Sequence, residues 1–168
     1  MFVLIVLSVL PLLLIVAAIK DATTMTIPNW ISLTMAAVFL ATAPFVLEPA
    51  MIGTHALVAA GALAAGFAMF SLNWVGGGDA KLLAATALWM GLPALPDFLI
   101  WTGLFGGGLS LGLIGARQVA SYLPFAPAQG ALGRLLEPKG DIPYGLAIAA
   151  GGLAAFPQSA VFLAFVGL

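Results

Sequence analysis

The stretch FVLIVLSVLPLLLIVAAI at residues 2–19 contains no charged side chain, and the first one along the chain is Lys20. An α-helix rises about 1.5 Å per residue, so a helix over this stretch can cross most of the roughly 30 Å hydrocarbon core of a bilayer. A signal peptide would carry basic residues ahead of its apolar run, whereas here the basic residue follows it. We therefore interpret residues 2–19 as a retained transmembrane helix.

The rest of the chain repeats this pattern. Its 168 residues are 63% hydrophobic and only 7% charged, which is more apolar surface than a soluble domain of this length could bury. Further apolar blocks occupy residues 30–47, 55–74, 80–92, 97–116 and 144–168. The sequence thus predicts an all-α polytopic membrane protein with about six transmembrane helices, forming one integral-membrane domain over residues 1–168. The block at 80–92 is the shortest, and Pro93 and Pro96 follow it.

Basic residues are distributed asymmetrically about these blocks. If all six blocks cross the membrane, every basic residue falls in the first, third or fifth connection; these residues are Lys20, Lys81, Arg117, Arg134 and Lys139. Because cytoplasmic loops carry the excess of lysine and arginine, these connections are predicted to face the cytoplasm and both termini to lie outside. Glu48, His55 and Asp97 then fall on the outer side and are interpreted as solvated.

Composition also excludes several kinds of site. The chain has no cysteine, which rules out disulfides, thiolate nucleophiles and cysteine-ligated zinc. Its single histidine, His55, poorly supports a metal site or a Ser-His-Asp triad. A net charge of −1 gives no basic surface for nucleic acid. No metal or other cofactor is expected, and the remaining chemistry belongs to carboxylates, hydroxyls, amides and the backbone.

Two aspartates adjoin predicted helices at the same membrane surface. Asp21 follows the first block, and Asp79 lies within residues 76–82, Gly-Gly-Gly-Asp-Ala-Lys-Leu. A charged group is costly next to hydrocarbon, so an acid placed there usually has a function. Two neighbouring carboxyls share one proton, which suits peptide hydrolysis: the ionised member activates a water, and the protonated member hydrogen-bonds to the carbonyl oxygen and later protonates the leaving nitrogen.

Small residues and one long connection complete the pattern. Gly76, Gly77 and Gly78 allow another chain to approach closely, as an extended substrate would require, or alternatively cap the preceding span. The triplet at 106–108, with Gly103 and Gly112, has the small-xxx-small spacing of packed membrane helices. The connection at 117–141 is predicted to lie in the membrane interface or to re-enter the membrane, with an ordinary loop as the alternative.

Three patches of sequence occur in a recognisable order. They are Asp21 with Ile27-Pro28-Asn29, then residues 76–82, and finally residues 142–148, Ile-Pro-Tyr-Gly-Leu-Ala-Ile. In this order they resemble the type IV prepilin peptidases, membrane aspartic proteases of the GxGD type. The likeness is closer to the short branch that serves Flp/Tad-type pili. Larger members carry an insertion with zinc-binding cysteines and methylate the new N-terminus, which is not expected of this cysteine-free chain.

The resemblance implies an aspartic endopeptidase of the bacterial cytoplasmic membrane, with Asp21 and Asp79 as the catalytic pair. Its substrates would be prepilins or pseudopilins, cut at the cytoplasmic face between a short basic leader and a hydrophobic helix. Membrane lipids and the pilus assembly machinery are the other expected partners. The residues that would shape the site or bind substrate belong to the three patches: Gly76, Gly77, Gly78, Lys81, Pro28, Asn29, Pro143 and Tyr144.

Other functions stay open at this level. A protease resembling signal peptide peptidase or presenilin would cut within a transmembrane helix, but the Tyr-Asp dipeptide of those families is absent. A small transporter or channel could use Asp21 and Asp79 to relay protons or bind a cation, although such carboxylates usually lie near the bilayer midplane. A structural assembly subunit is the third alternative. Asp141 is the main competitor as a functional acid.

Overall fold

A computed structural model of the chain describes residues 2–121, 130–137 and 140–167. The described residues contain helices and no strand, which confirms the predicted all-α class. The helices are α1 Phe2–Thr24, α2 Asn29–Thr42, α3 Pro49–Ser71, α4 Gly77–Ser121, α5 Ala131–Leu135, α6 Tyr144–Ala155 and α7 Ala160–Val166. Lys139, Leu168 and the centre of the connection at 117–141 lie outside the described residues.

The first connection is short and tightly shaped. α1 ends at Thr24, because Met25 adopts a left-handed φ of 53° and donates its backbone N–H to the Asp21 carbonyl at 2.9 Å. This conformation costs about 1–2 kcal/mol for a residue other than glycine, so the surroundings must hold it in place. Pro28 then takes an extended backbone (φ −64°, ψ 138°) immediately before α2. The chain therefore turns at Met25, four residues after Asp21 and close to the Asp21 side chain.

α4 does not continue straight. At Gly91 the backbone leaves the helical region, with φ 64° and ψ −176°. Thr86 and Thr102 would lie about 24 Å apart along a straight helix. Both nevertheless contact neighbouring glycines of α6, Thr86 against Gly152 and Thr102 against Gly151. The chain therefore folds back at Gly91.

The fold-back divides α4 into two antiparallel arms, which we call α4a (residues 77–90) and α4b (residues 92–121). They correspond to the separate blocks predicted at 80–92 and 97–116. The reversal lies before both prolines because its backbone conformation is essentially restricted to glycine. Pro93 falls in the first turn of α4b, where the missing N–H of proline removes no helical hydrogen bond.

Helix lengths match the membrane prediction in part. Among the described residues, Val6–Thr24, Pro49–Ser71 and Gly77–Ala120 are long and apolar enough to span a bilayer, and Tyr144–Gln158 with Ala160–Val166 forms a fourth, bent candidate. The apolar helix at Asn29–Phe45 is shorter. A multi-span helical protein is confirmed. Six crossings stay a prediction, which requires α2 and both arms of α4 each to traverse the membrane.

α4a is the centre of the bundle. Its residues Leu82, Ala87, Trp89 and Met90 are fully buried. Trp89 also donates its indole N–H to the Met35 carbonyl of α2 at 2.9 Å, so a buried polar group is satisfied between two helices. Because α2, α3 and α6 all pack on this arm, the position of its first turn is fixed by the whole core.

His55 is buried, so the interpretation that it is solvated was wrong. Its side chain is 1% exposed and stacks on Phe39, with ring centroids 5.3 Å apart. Its Nδ1 donates to the Leu88 carbonyl at 2.7 Å. The last carbonyls of a helix lack hydrogen-bond partners within the helix, and His55 is such a partner for the Leu88 carbonyl at the end of α4a. Of the other two outer residues, Glu48 is exposed and Asp97 is half-buried.

The triplet at 106–108, with Gly103 and Gly112, was predicted to have the spacing of packed helices. This second glycine group packs against another helix at one position. Gly106 lies against Tyr144 and Ala147 of α6. A side chain built at any of the other glycines of this group would meet no atom within 4 Å; these are Gly103, Gly107, Gly108 and Gly112. Most of the glycine surface of α4b is therefore unpartnered among the described residues.

Replacing Gly91 with alanine should destabilise the bundle. The new methyl group would enter the His55 ring and require a left-handed φ of 64°. We expect a loss of at least about 2 kcal/mol, from backbone strain and overpacking together. Unfolding followed by helical circular dichroism in detergent measures the change. Gly112→Ala is the matched control, since no atom lies within 4 Å and alanine favours a regular helix. Equal stability of the two variants would contradict the fold-back at Gly91.

Candidate active site

Asp21 lies in the last turn of α1, and α6 holds its carboxyl. The side chain is 5% exposed, and its Oδ2 accepts a hydrogen bond from the Gly145 backbone N–H at 2.7 Å. Gly145 is the second residue of α6, so its N–H is one of those that a helix leaves without an internal partner. A Cβ at this position would lie 2.8 Å from Asp21 Oδ2. Glycine is thus what allows α6 to begin so close to the carboxyl.

Asp79 lies in the first turn of α4a and is 9% exposed. Its Oδ2 accepts a hydrogen bond from the Gly76 backbone N–H at 3.1 Å, which fixes the carboxyl to the loop before its own helix. Its Oδ1 is buried and has no hydrogen-bond partner among the described residues. Leaving such an atom unpaired costs about 1–3 kcal/mol, so it marks a place where a function or a bound molecule is expected.

The two carboxyls line the same cavity, although the chain separates them by more than fifty residues. We call it the catalytic cavity; its volume is about 450 Å³, and it lies between the end of α1, the loop before α4a and the segment before α6. The exposed side chain of Asp141 is the third acid on its wall. A further space of about 290 Å³, between residues 25–27 and 76–79, also touches both Asp21 and Asp79.

The glycines before Asp79 bring two connections together. α3 ends at Ser71, and Gly78 lies against Ile27 of the first connection, where a Cβ would come within 3.1 Å of the Ile27 Cβ. Gly77 faces the ring of Phe70. A larger residue at position 78 would push the first connection away from the first turn of α4a. The close approach of two backbones thus requires a glycine here.

Lys81, Asn29 and Pro28 lie behind the catalytic cavity. Lys81 Nζ donates to Asn29 Oδ1 at 2.9 Å, which joins the start of α4a to the start of α2. Both side chains are exposed, and Pro28 is half-buried immediately before Asn29. None of the three appears among the residues that line the catalytic cavity. Their position suits a role in shaping the site.

The third patch contributes to the site through its backbone as well as its side chains. Pro143 immediately precedes α6, and Tyr144, the first residue of α6, lines the catalytic cavity. Sequence reasoning missed Gly145, whose N–H binds Asp21, although the glycine was visible in the patch. It also missed Met25 and Asn73, which line the cavity with left-handed φ values of 53° and 58°. Asparagine is enriched in the left-handed region and so gives a weak signal at position 73, whereas nothing in the sequence marks Met25.

Two arginines hold the last long connection against this end of the bundle. Arg117 donates from Nε to the Leu135 carbonyl and from Nη2 to the Asp141 carbonyl, each at 2.9 Å. Arg134 Nη1 donates to the Thr23 carbonyl at 3.3 Å, near the end of α1. Like Lys20 and Lys81 next to the aspartates in sequence, both arginines therefore lie at the end of the bundle that holds the catalytic cavity.

Among the described residues, no group of three or more histidine, aspartate or glutamate side chains is arranged to hold a metal ion. The chemistry available at the site is that of two adjacent, buried carboxyls. One oxygen of each is fixed by a backbone N–H, and one oxygen of Asp79 is free. Such a pair can hold a water and transfer protons in both directions.

Comparison with known proteins places these residues in a wider group. Residues 8–111, which include both aspartates, match the model of the type IV leader peptidase family. Over 79 residues the chain is 37% identical to the prepilin leader peptidase/N-methyltransferase of Aeromonas hydrophila, and equally to that of Aeromonas salmonicida strain A449. Each alignment covers 40% of this chain and 27% of the relative, so the chain matches about a quarter of the relatives' length. No solved structure matches the chain.

Replacing Gly145 with alanine should disturb Asp21 specifically. The added methyl would crowd Asp21 Oδ2 and the Ile27 side chain, and we expect it to cost about 1–3 kcal/mol of unfolding free energy. A double-mutant cycle tests the cause, because Gly145→Ala should cost less when Asp21→Ala has removed the carboxyl. Gly61→Ala on α3, with no atom within 4 Å, serves as the control. The same cost in both backgrounds would mean that the two residues are not in contact.

Proposed function

Because the chain belongs to the type IV leader peptidase family, we propose that it is a prepilin leader peptidase. It would hydrolyse the peptide bond between the leader and the hydrophobic helix of type IV prepilins or pseudopilins. The observation that carries this proposal is the pair of buried carboxyls, Asp21 and Asp79, lining one cavity in a helical membrane protein. The names of the two relatives support the substrate class. The Flp/Tad class rests on the sequence resemblance and on the absence of cysteine from residues 1–168.

The proposed mechanism is that of an aspartic protease. One carboxyl, ionised, takes a proton from a water whose oxygen attacks the scissile carbonyl carbon. The other, protonated, hydrogen-bonds to the carbonyl oxygen and stabilises the negative charge that forms on it in the tetrahedral intermediate. When the carbon–nitrogen bond breaks, the carbonyl forms again and the nitrogen accepts the proton of this second carboxyl. The first carboxyl now holds the proton taken from the water. Atoms and protons balance, and transfer of that proton to the second carboxyl restores the starting state.

Backbone contacts prepare the pair for this role. The Gly145 N–H holds Oδ2 of Asp21, and the Gly76 N–H holds Oδ2 of Asp79. The rotation of both carboxyls is therefore restricted before substrate arrives, which lowers the entropic cost of reaching the reactive geometry. Asp79 Oδ1 is buried and has no hydrogen-bond partner among the described residues. Burial strengthens these hydrogen bonds relative to those in bulk water.

The active site is proposed to face the cytoplasm of a bacterial inner membrane, with both termini outside. Support comes from the basic residues Lys20, Lys81, Arg117 and Arg134, which lie at the same end of the bundle as the aspartates. Cytoplasmic ends of membrane proteins carry this excess of positive charge. A prepilin leader, which remains on the cytoplasmic side, would then reach the catalytic cavity without crossing the membrane.

The position of the aspartates favours a peptidase over a transporter or channel. Asp21 lies in the last turn of α1, and Asp79 lies in the first turn of α4a. Ion-coupling carboxylates typically lie near the bilayer midplane, halfway along their helices. In reconstituted vesicles, leader cleavage without proton or cation flux would support the peptidase, and flux without cleavage would support the alternative.

Both carboxyls should be required for cleavage. Asp21→Asn and Asp79→Asn each keep the size of the side chain but remove proton transfer, so we expect processing to fall by a factor of about 10²–10⁴, at unchanged membrane levels. Co-expression with a prepilin, a gel shift and N-terminal sequencing of the product measure this. Asp141→Asn is the matched control, because this exposed acid lines the same cavity, and it should keep most activity. Substantial cleavage by either pair variant, or a complete loss in the control, would refute the pairing.

A metal test accompanies these variants. If the carboxyls activate water themselves, cleavage should persist in EDTA and in 1,10-phenanthroline. Activity that is lost on chelation and restored by zinc would instead make the aspartates metal ligands, even if both proved essential.

Topology can be tested cleanly because the chain contains no native cysteine. Thr24→Cys and Glu48→Cys place thiols at exposed positions at opposite ends of α2. A membrane-impermeant maleimide added to intact cells with a permeabilised outer membrane should label position 48 and leave position 24 unlabelled. Inside-out vesicles should give the reverse. Labelling of position 24 from outside would place the aspartates on the wrong face for the proposed substrate.

A further inference from the structure

A second cavity adjoins the aspartate pair on the side of α4b. Its volume is about 280 Å³, and it lies between α3, the two arms of α4 and α6. We call it the glycine cavity. Asp79, Leu83 and Ile148 lie on one side of it, and Gly103, Gly107 and Ser110 lie on the other. Apart from Asp79, no charged residue in the described part of the chain lines it.

The glycine cavity and the catalytic cavity share lining residues. Asp79 and Tyr144 line both. Of the described residues, three acids and no lysine or arginine line the catalytic cavity, whereas the walls of the glycine cavity are largely apolar. The polarity of the surroundings therefore changes at Asp79. A substrate crossing that point meets a polar, acidic space on one side and an apolar space on the other.

The glycines leave this wall open. A side chain built at Gly103 or Gly107 would meet no atom within 4 Å, and both positions are exposed on the surface of α4b. Glycine in the interior of a helix is unfavourable relative to alanine, and at these two positions no contact with the described residues offsets the cost. Small residues on a membrane helix allow another helix to approach its backbone closely. The wall thus has the form of a docking surface for a helix.

We propose that the glycine cavity binds the apolar residues that follow the scissile bond, so that the first turn of the substrate's hydrophobic helix packs on Gly103 and Gly107. This inference rests on the proposed function. The occupant follows from continuity: a peptide bond held at Asp79 has a residue on each side, and the glycine cavity is the apolar one of the two spaces that Asp79 and Tyr144 share. The polar segment before the bond lies in the catalytic cavity. The change in polarity at Asp79 thereby fixes the orientation of the substrate.

The orientation gives a rule for specificity. An acidic side chain directly after the bond would enter an apolar space whose one charged neighbour among the described residues is Asp79, without a compensating partner, and would be rejected. An apolar side chain would fill the space between α4a and α4b. The glycine cavity therefore selects for the hydrophobic start of the substrate helix, and Gly103 and Gly107 are specificity-determining positions.

Two adjacent glycines provide the test. Gly107→Leu and Gly108→Leu lie on one helix, both are exposed, and neither has an atom within 4 Å of its Cβ position, but Gly107 lines the glycine cavity and Gly108 does not. With a full-length prepilin in vesicles, Gly107→Leu should lower kcat/KM about 10-fold or more, mainly through KM, as expected when a pocket is filled. Gly108→Leu should stay within about twofold of wild type. Gly103→Leu provides a second variant of the same wall.

A substrate series separates pocket filling from general damage. Shortening the first large apolar residue after the bond to alanine should restore much of the activity of Gly107→Leu, while a substrate peptide without the hydrophobic helix should be cut equally by Gly107→Leu and wild type. Equal losses in Gly107→Leu and Gly108→Leu, or equal losses with both substrates, would overturn the inference while wild-type cleavage leaves the proposed function intact. A change in oligomeric state caused by Gly107→Leu would assign the wall to a second copy and would also overturn it. If wild type cuts no prepilin, the proposed function itself fails.

Discussion

The hydrogen bond from the Gly145 backbone N–H to Asp21 joins two positions that are 124 residues apart, and the arrangement of the site depends on it. It can form because glycine leaves room for the carboxyl and because the start of a helix has N–H groups to spare. Farther along α6, Gly151 and Gly152 bring the same helix against Thr102 and Thr86. α6 is therefore held along its length between the two arms of α4, and its first residues have little freedom to move away from Asp21.

The same arrangement explains which features could be predicted from the sequence. The apolar blocks, the aspartates and the glycines before Asp79 are local signals, since composition and spacing are enough to identify them. A break between the blocks at 80–92 and 97–116 was predicted, but its position at Gly91 was missed. The nearby prolines are stronger helix breakers in sequence terms, while the required backbone conformation is a property of a single glycine. His55 was predicted to be solvated because nothing in the sequence shows its partner, the Leu88 carbonyl. That carbonyl needs a side-chain donor because α4a ends there. Backbone donors and acceptors have no sequence signature, and Gly145 is another such case.

The family match and the geometry divide the molecule differently. The matched residues, 8–111, contain both carboxyls and the loop that fixes Asp79, but they end before the residues that hold Asp21 from α6. The matched part supplies the two carboxyls, and the later part positions one of them and adds Tyr144 to the cavity wall. A substrate contact or a positioning contact outside the matched residues would thus be found from the structure and not from the family comparison. Three unpartnered glycines of α4b, Gly103, Gly107 and Gly108, lie within the matched part, yet their spacing alone suggested ordinary helix packing.

The hydrogen bonds that tie the two arginines over the site to the described residues go to main-chain atoms: Arg117 bonds the carbonyls of Leu135 and Asp141, and Arg134 bonds the carbonyl of Thr23. A carbonyl is present whichever side chain its residue carries. Substitution at any of these three partners therefore leaves the contact in place, and no compensating change is demanded at the arginine. Among related sequences, the side chains at these three partner positions should vary, while the two arginines should stay the same. Methods that infer contacts from paired substitutions should find no signal there, although the connection is tied directly to the end of α1.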